Sequence, residues 1–327
     1  ATLWYDAVTG PTDGMAGDVL VVGCNKGDSA VGFLRMLTGQ ERYSLSAWWD
    51  ALVTNCNKLQ SDIRCPQGGF NEGQQVNVCH EDQPPRWRRH MRRPATEAIC
   101  VEALPATAEV LAATARSIGW PMEVVHAAVT GSMSQPTVMF PRSLNFGTEN
   151  VGLSGQGQNW ALWKKANRAH NASGTKRTKY PVVHVPTQTV DSLVAQRGRH
   201  IEVLLIDAEG HDPNVLKGAS RTLASGAVGF IEFEVSYGGA WKHTSVNTTI
   251  DWLDGHGFDC FWAGTSGLYL ITRCWHSAYQ NLGVPFGQVW GNVVCAHRNH
   301  TQWHRALWRV ARSRFPQLPM DAPWPTR

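Results

Sequence analysis

The 327-residue sequence holds no run of about 18 apolar residues, so it offers no candidate for a membrane-spanning helix. No two of its cysteines form a C-x-x-C pair, which removes the usual structural zinc site and the thioredoxin-type redox pair. A Gly-x-x-x-x-Gly-Lys-Ser/Thr phosphate loop, a Gly-x-Ser-x-Gly nucleophile elbow and a His-x-x-x-His pair enclosing a glutamate are also missing. Phosphate-loop nucleotide hydrolysis, α/β-hydrolase chemistry and zinc proteolysis therefore have no support. Charge is scarce. Charged residues make up 17%, and 30 Lys and Arg against 26 Asp and Glu leave a net charge of +4. That balance is too weak to imply a nucleic-acid partner, and none is expected. Repeats are absent, and 31 Gly and 17 Pro are ordinary numbers that exclude a collagen-like or low-complexity chain.

Apolar material for a sizeable core is present, at 43% hydrophobic residues. The 15 tryptophans outnumber the 10 phenylalanines and 6 tyrosines. Such an excess suits large core and interface side chains and, less often, sugar-facing surfaces. Cysteines stand at 24, 56, 65, 79, 100, 260, 274 and 295. Cys56, Cys65 and Cys79 fall in a stretch poor in apolar periodicity, and at least one disulfide among them is expected to order it. Cys24 and Cys100 are expected to stay reduced and packed. Three N-glycosylation sequons occur, at Asn171, Asn247 and Asn299, where chance alone would give roughly two. Together with the even cysteine count they suggest a lumenal or secreted glycoprotein.

Strand-like and helix-like segments alternate along the chain. Apolar runs at 18–22, 98–102, 123–129, 182–185, 201–206 and 228–233 read as strands. Helical spacing follows at 28–37, from Pro105 onward, at 190–195, from Asp212-Pro213 to about Leu223, and at 250–256. The runs 258–262 and 268–272 are close enough for a hairpin. This rhythm predicts an α/β fold with a mainly parallel, doubly wound sheet and a terminal antiparallel hairpin. Two insertions interrupt it, at about 39–97 and 141–180. The division expected is a single domain over 1–300, then a basic C-terminal helix and Pro-rich tail over 301–327.

The chemistry-bearing residues gather at predicted strand ends, where open parallel sheets bind ligands. Gly23-Cys24-Asn25-Lys26-Gly27 follows the first strand, and glycines there let the backbone approach a ligand at a helix N-terminus. Glu102 ends the second strand and can accept from both ribose hydroxyls of an adenosine cofactor. The glycine turn lacks the full Gly-x-Gly-x-x-Gly pattern, which points away from a nicotinamide dinucleotide. Asp207, Glu209, His211 and Asp212 follow the buried run Leu204-Leu205-Ile206. Acids at such a strand end can position a hydroxyl, bind a cation or act as a base. Asp212 reads as a helix cap. Two basic stretches are candidates for a protein partner: Arg86–Arg93, with five arginines in eight residues, and a helix over 301–314 with Trp303, Leu307, Val310 and Ala311 on one side, a pattern that more often packs on its own domain.

The segments Val21–Asp28, Cys100–Pro105, Thr189–Leu193, Leu205–Asp212, Val215–Ala219 and Phe230–Glu234, in this order, resemble the FkbM-type methyltransferase family. The resemblance spans about residues 18–38 and 98–272. It implies a Rossmann-like methyltransferase fold and an S-adenosylmethionine-dependent O-methyltransferase acting on a hydroxyl of a sugar or similar small polar acceptor. It also implies Gly23, Asn25 and Gly27 around the methionine part of the cofactor, Glu102 on the ribose, and the strand end at Ala127 beside the adenine. Asp207 and Glu209 would lie at the reaction face; Asp207, Glu209 and His211 are the candidate bases, and no metal ligand is assigned. A small-molecule or glycan acceptor is the expected partner. The alternative is a catalytically degenerate copy of the fold, kept as a structural or binding subunit of a larger assembly, with the 39–97 insertion near or over the cleft.

Overall fold

The computed structural model describes residues 17–59, 64–66, 96–141, 146, 182–236, 238–264, 267–276 and 291–314. Cys79, the Arg86–Arg93 run and the Asn171 sequon lie outside them. β1 (Asp18–Val22) runs through a glycine turn into α1 (Asp28–Thr38), and α2 (Leu45–Leu59) follows. Next come β2 (Ala98–Glu102), α3 (Pro105–Ile118) and β3 (Met122–His126). Three short strands follow, β4 (Ala128–Val129), β5 (Thr137–Pro141) and β6 (Val182–Gln188). The second half holds α4 (Val190–Arg197), β7 (Ile201–Ile206), α5 (Asp212–Lys217), α6 (Ser220–Ala224) and β8 (Phe230–Val235). It ends with α7 (Val246–Gly255), β9 (Phe258–Gly264), β10 (Gly267–Leu270), β11 (Gly291–His297) and α8 (Thr301–Arg314).

Eight strands form one sheet in the order β10-β9-β11-β8-β7-β1-β2-β3. The run from β8 to β3 is parallel throughout, as the strand–helix alternation predicts. The β9–β10 hairpin is antiparallel and forms the expected edge. β11, which the sequence pattern did not single out, inserts between β8 and β9, antiparallel to both. Strand residues alternate between two buried layers. Val19 and Val21 face a cluster with α1, α2, α3 and α8, while Leu20 and Val22 face one with α4 to α7. Both faces are covered, so the central strands read as continuous apolar runs.

Three further departures have local causes. The expected strand over 123–129 divides, because β4 leaves the main sheet to join β6 and β5 in a second, three-stranded sheet. The start of the 39–97 segment is the core helix α2, with Trp48, Leu52 and Cys56 fully buried. The helix after Asp212 is interrupted at Gly218, where a Cβ would meet the Thr130 carbonyl oxygen at 2.2 Å. Asp191 then caps α6, accepting from Thr222 N at 2.8 Å and Arg221 N at 3.1 Å.

α8 lays Trp303, Leu307, Val310 and Ala311 into the chain's own core. Trp303 stacks on Phe230 at 4.7 Å. The apolar face for which the sequence suggests a partner is thus occupied by this chain's sheet, leaving Arg305 and Arg309 exposed. Three cysteine pairs stand at disulfide distance: Cys24–Cys100, Cys56–Cys65 and Cys260–Cys295, with Cα separations of 5.4, 5.7 and 4.0 Å. The Cys56–Cys65 pair meets the expectation of a cross-link in the 39–97 segment. Cys24–Cys100 corrects the expectation that both stay reduced. Strands β1 and β2 run side by side with Val21 opposite Cys100, and the turn folds Cys24 back so that its N–H meets the Val101 carbonyl at 3.2 Å. Cys274 is the free cysteine among the described residues.

Candidate active site

The turns after β1, β2 and β7 converge at the carboxyl edge of the sheet. Gly23 (φ +82°) has no room for a side chain: a Cβ there would lie 1.8 Å from the Asp207 carbonyl oxygen. The Asp207 N–H donates to the Val22 carbonyl at 2.9 Å, so the two turns are locked together. Asn25 follows with φ +49°, a left-handed conformation that asparagine tolerates better than most residues. Gly27 (φ +83°) sits over the Trp48 ring, with 2.7 Å between a Cβ position and the indole. The Trp48 indole N–H donates to the Lys26 carbonyl at 2.8 Å, so α2 supports the turn from behind.

Glu102 ties two of these turns to one carboxylate. Its Oε2 accepts from Asn25 N at 2.9 Å and its Oε1 from Leu104 N at 2.8 Å. Burial pushes the Glu102 carboxyl up to about 7, against the backbone N–H groups that favour its charged form. Ala127 joins the same corner, donating its N–H to the Glu102 carbonyl at 3.1 Å.

A cleft of about 700 Å³, counted to its open mouth, opens beside these turns. It brings together Gly23, Asn25, Glu102, Ala127, Asp207, Glu209 and His211. Gly27 does not line it and stands one step behind, at the N-terminus of α1. The described part of the 39–97 segment does not line it either. Leu104, Ala128 and Phe140 supply an apolar wall that sequence reasoning missed. Phe140 comes from the second sheet, whose position no local pattern announces.

The acids after β7 run from exposed at the cleft to fully buried behind it. Asp207 is exposed at the mouth, while Glu209 is half-buried with φ +52°. That backbone follows from close packing of the next loop: the Gly210 carbonyl accepts from Ala240 N at 2.8 Å, and a Cβ on Gly239 would meet it at 2.4 Å. Asp212 is fully buried and bridges two elements, accepting from Gly210 N at 3.2 Å and Glu234 N at 3.1 Å. It does more than cap α5, whose N-cap is His211. Burial, then the neighbouring Glu234 carboxylate, drives Asp212 well above the usual carboxylate range. Burial, then Glu209, raises Glu234 to about 7. Burial holds His211 down at about 4, so its ring is neutral near pH 7. Its Nδ1 accepts from Asn214 Nδ2 at 3.1 Å, which leaves the ring proton on Nε2. Among the described residues, no Lys or Arg forms an ion pair with Glu102, Asp212 or Glu234.

Comparison with curated proteins and with solved structures gives no match. The profile of the methyltransferase FkbM domain matches residues 97–260, half of the chain. That interval runs from β2 to the start of β9 and carries Glu102, Ala127, Asp207, Glu209 and His211. With its mainly parallel, doubly wound sheet and the turns that meet at one cleft, the chain belongs to the FkbM methyltransferase family.

Proposed function

We propose that this chain is an S-adenosylmethionine-dependent O-methyltransferase acting on a hydroxyl of a sugar or a similar small polar acceptor. The observation that carries this reading is the convergence of a glycine turn, a strand-end glutamate and three further polar residues on one open cleft. The cleft fits the cofactor in chemistry. Glu102 offers acceptor capacity to ribose hydroxyls, and Ala127, Ala128, Leu104 and Phe140 suit a flat ring. The acids Glu102, Asp207 and Glu209 on the lining suit a ligand that brings its own positive charge.

When bound, S-adenosylmethionine supplies an electrophilic methyl group on a sulfonium centre. The chain's part is alignment and proton handling. Gly23 and Asn25 present backbone close to the ligand, and Glu102 fixes its orientation. Asp207, at the exposed end of β7, accepts the acceptor's hydroxyl proton on a carboxylate oxygen, and Glu209 lies next to it. His211, neutral with its proton on Nε2, serves as a hydrogen-bond donor to the acceptor rather than as the base. Three cysteine pairs suit an oxidising compartment, and we place the chain in the secretory lumen or outside the cell.

The test is transfer of a labelled methyl group to a panel of sugars and small polyols. Asp207→Asn should lower turnover by roughly 100-fold or more and leave cofactor affinity near parental. Cofactor binding without transfer to any hydroxyl would favour the degenerate-subunit reading instead.

A further inference from the structure

The opposite edge of the sheet, at the amino end of β7, carries a second polar cluster. His200 precedes β7, Glu202 is its second residue, and His300 immediately precedes α8. One ligand atom from each lies within 4.8 Å of the other two. His200 Nε2 stands 3.1 Å from Glu202 Oε2, and His300 Nδ1 stands 3.6 Å from Glu202 Oε1. Neighbouring ligands around a tetrahedral ion with bonds of about 2.0 Å are spaced about 3.3 Å apart. The two imidazole rings are nearly parallel, with centroids 5.8 Å apart.

The surroundings hold these atoms in place. His300 Nε2 donates to the Gly226 carbonyl at 3.0 Å, which turns Nδ1 toward Glu202. Metal-ligating histidines are held in this way, with the far nitrogen donating to a carbonyl or carboxylate. Trp303 Nε1 donates to Glu202 Oε1 and orients the carboxylate, which is only 2% exposed. Gly229 leaves the floor clear: a Cβ there would lie 2.4 Å from Glu202 Oε1 and 2.7 Å from His300 Nδ1. The His200 side chain is 35% exposed and gives the cluster an opening to solvent.

We propose that His200, Glu202 and His300 form a binding site for a first-row divalent transition ion of the zinc class, which clamps the start of β7 to the start of α8. Two imidazoles and one carboxylate favour such an ion over magnesium or calcium, which prefer all-oxygen sites. Three protein ligands leave a fourth position for water. No spacing motif announces the site, because its ligands come from separate parts of the chain. The site lies at the opposite sheet edge from the cleft and stands independently of the methyltransferase reading.

The test uses the full chain without a histidine tag, dialysed against buffered zinc and analysed for bound metal. The wild-type protein should retain about one zinc ion per chain, held by two nitrogen ligands in the zinc X-ray absorption spectrum. His200→Ala and His300→Ala should each bind at least about tenfold more weakly and lose the zinc-dependent rise in thermal midpoint. His243→Ala, at an exposed histidine elsewhere, should behave as wild type. The His200 side chain is partly solvent-exposed, so His200→Ala should fold even if His300→Ala does not. Zinc retained equally by His200→Ala, or not retained by wild type at micromolar free metal, would overturn the proposal.

Discussion

The two edges of the sheet treat their acids in opposite ways. At the carboxyl edge, Glu102 and Asp212 are buried and Glu234 half-buried, none with a basic partner among the described residues, and desolvation lifts all three. At the amino edge, Asp259 meets Arg298 at 2.8 Å and His304 at 2.7 Å, and Asp254 meets Arg273 at 2.8 Å. Burial works against Asp254 and Asp259 too, but hydrogen bonds and nearby positive charge more than offset it and hold both below the ordinary carboxylate range. Asp18 is the exception there, raised by burial despite Arg199 at 2.8 Å. An edge that neutralises its own charges serves to hold elements together. An edge that leaves desolvated carboxyls without counter-charge carries a cost.

The largest effect expected from a single change falls at the cleft. Gly23→Ala drives a Cβ into the Asp207 carbonyl at a φ that disfavours side chains. It should cost on the order of 3–5 kcal/mol and lower the thermal midpoint by roughly 5–10 °C. An alanine variant as stable as the parent would mean that the two turns are not locked together as described.

A pH series sharpens the contrast. Glu102 and Glu234 are raised from 4.5 to about 7. The stability that a raised carboxyl contributes is fully present below 4.5 and is lost as pH rises through about 7. Asp212 has the same sign. His211, lowered from 6.5 to about 4, has the opposite sign, and its contribution is lost as pH falls through 4. Asp254 and Asp259 keep theirs above 3.8 and lose it only in stronger acid. The carboxyl edge's share of stability should therefore fall between pH 5 and pH 8. Glu234→Gln removes part of that fall. By chemical denaturation it should be about 1–2 kcal/mol more stable than the parent at pH 8 and equal to it at pH 5. A gain that is the same at both values would remove the electrostatic explanation.

The smallest effect expected lies at neither edge. Asp191→Ala removes the cap of α6 and should cost about 1 kcal/mol, leaving cofactor affinity unchanged by calorimetry. A loss of affinity would make the Thr189–Leu193 segment part of the site rather than of the frame.

Much of the frame was legible because its causes are local. β1, β2 and β7 are short apolar runs, each ending at a polar turn, and burial on both faces requires such runs. Gly23, Glu102 and Asp207 could be placed at strand ends for the same reason. What escaped depends on distant pairings. The Cys24–Cys100 pair joins residues 76 positions apart, and only the in-register packing of β1 on β2 brings them together. α2 was hidden in a stretch that looked like an insertion, although Trp48, Leu52 and Cys56 keep helical spacing. β11 carries a legible apolar run, but its place between β8 and β9 is a matter of topology. The link from Asp212 to Glu234 likewise needs β7 beside β8. The second sheet that brings Phe140 to the cleft depends on β6, far along the chain from β5.

The central claim is that the carboxyl edge binds S-adenosylmethionine through Glu102. Isothermal titration of the cofactor into wild-type protein and Glu102→Ala at pH 8, with folding checked by circular dichroism, tests it most directly. The account predicts one binding event in the wild type, weakened by about 1–3 kcal/mol, or roughly 5- to 150-fold, in a folded variant. Equal affinity in the two proteins, or no binding to the wild type, would contradict it.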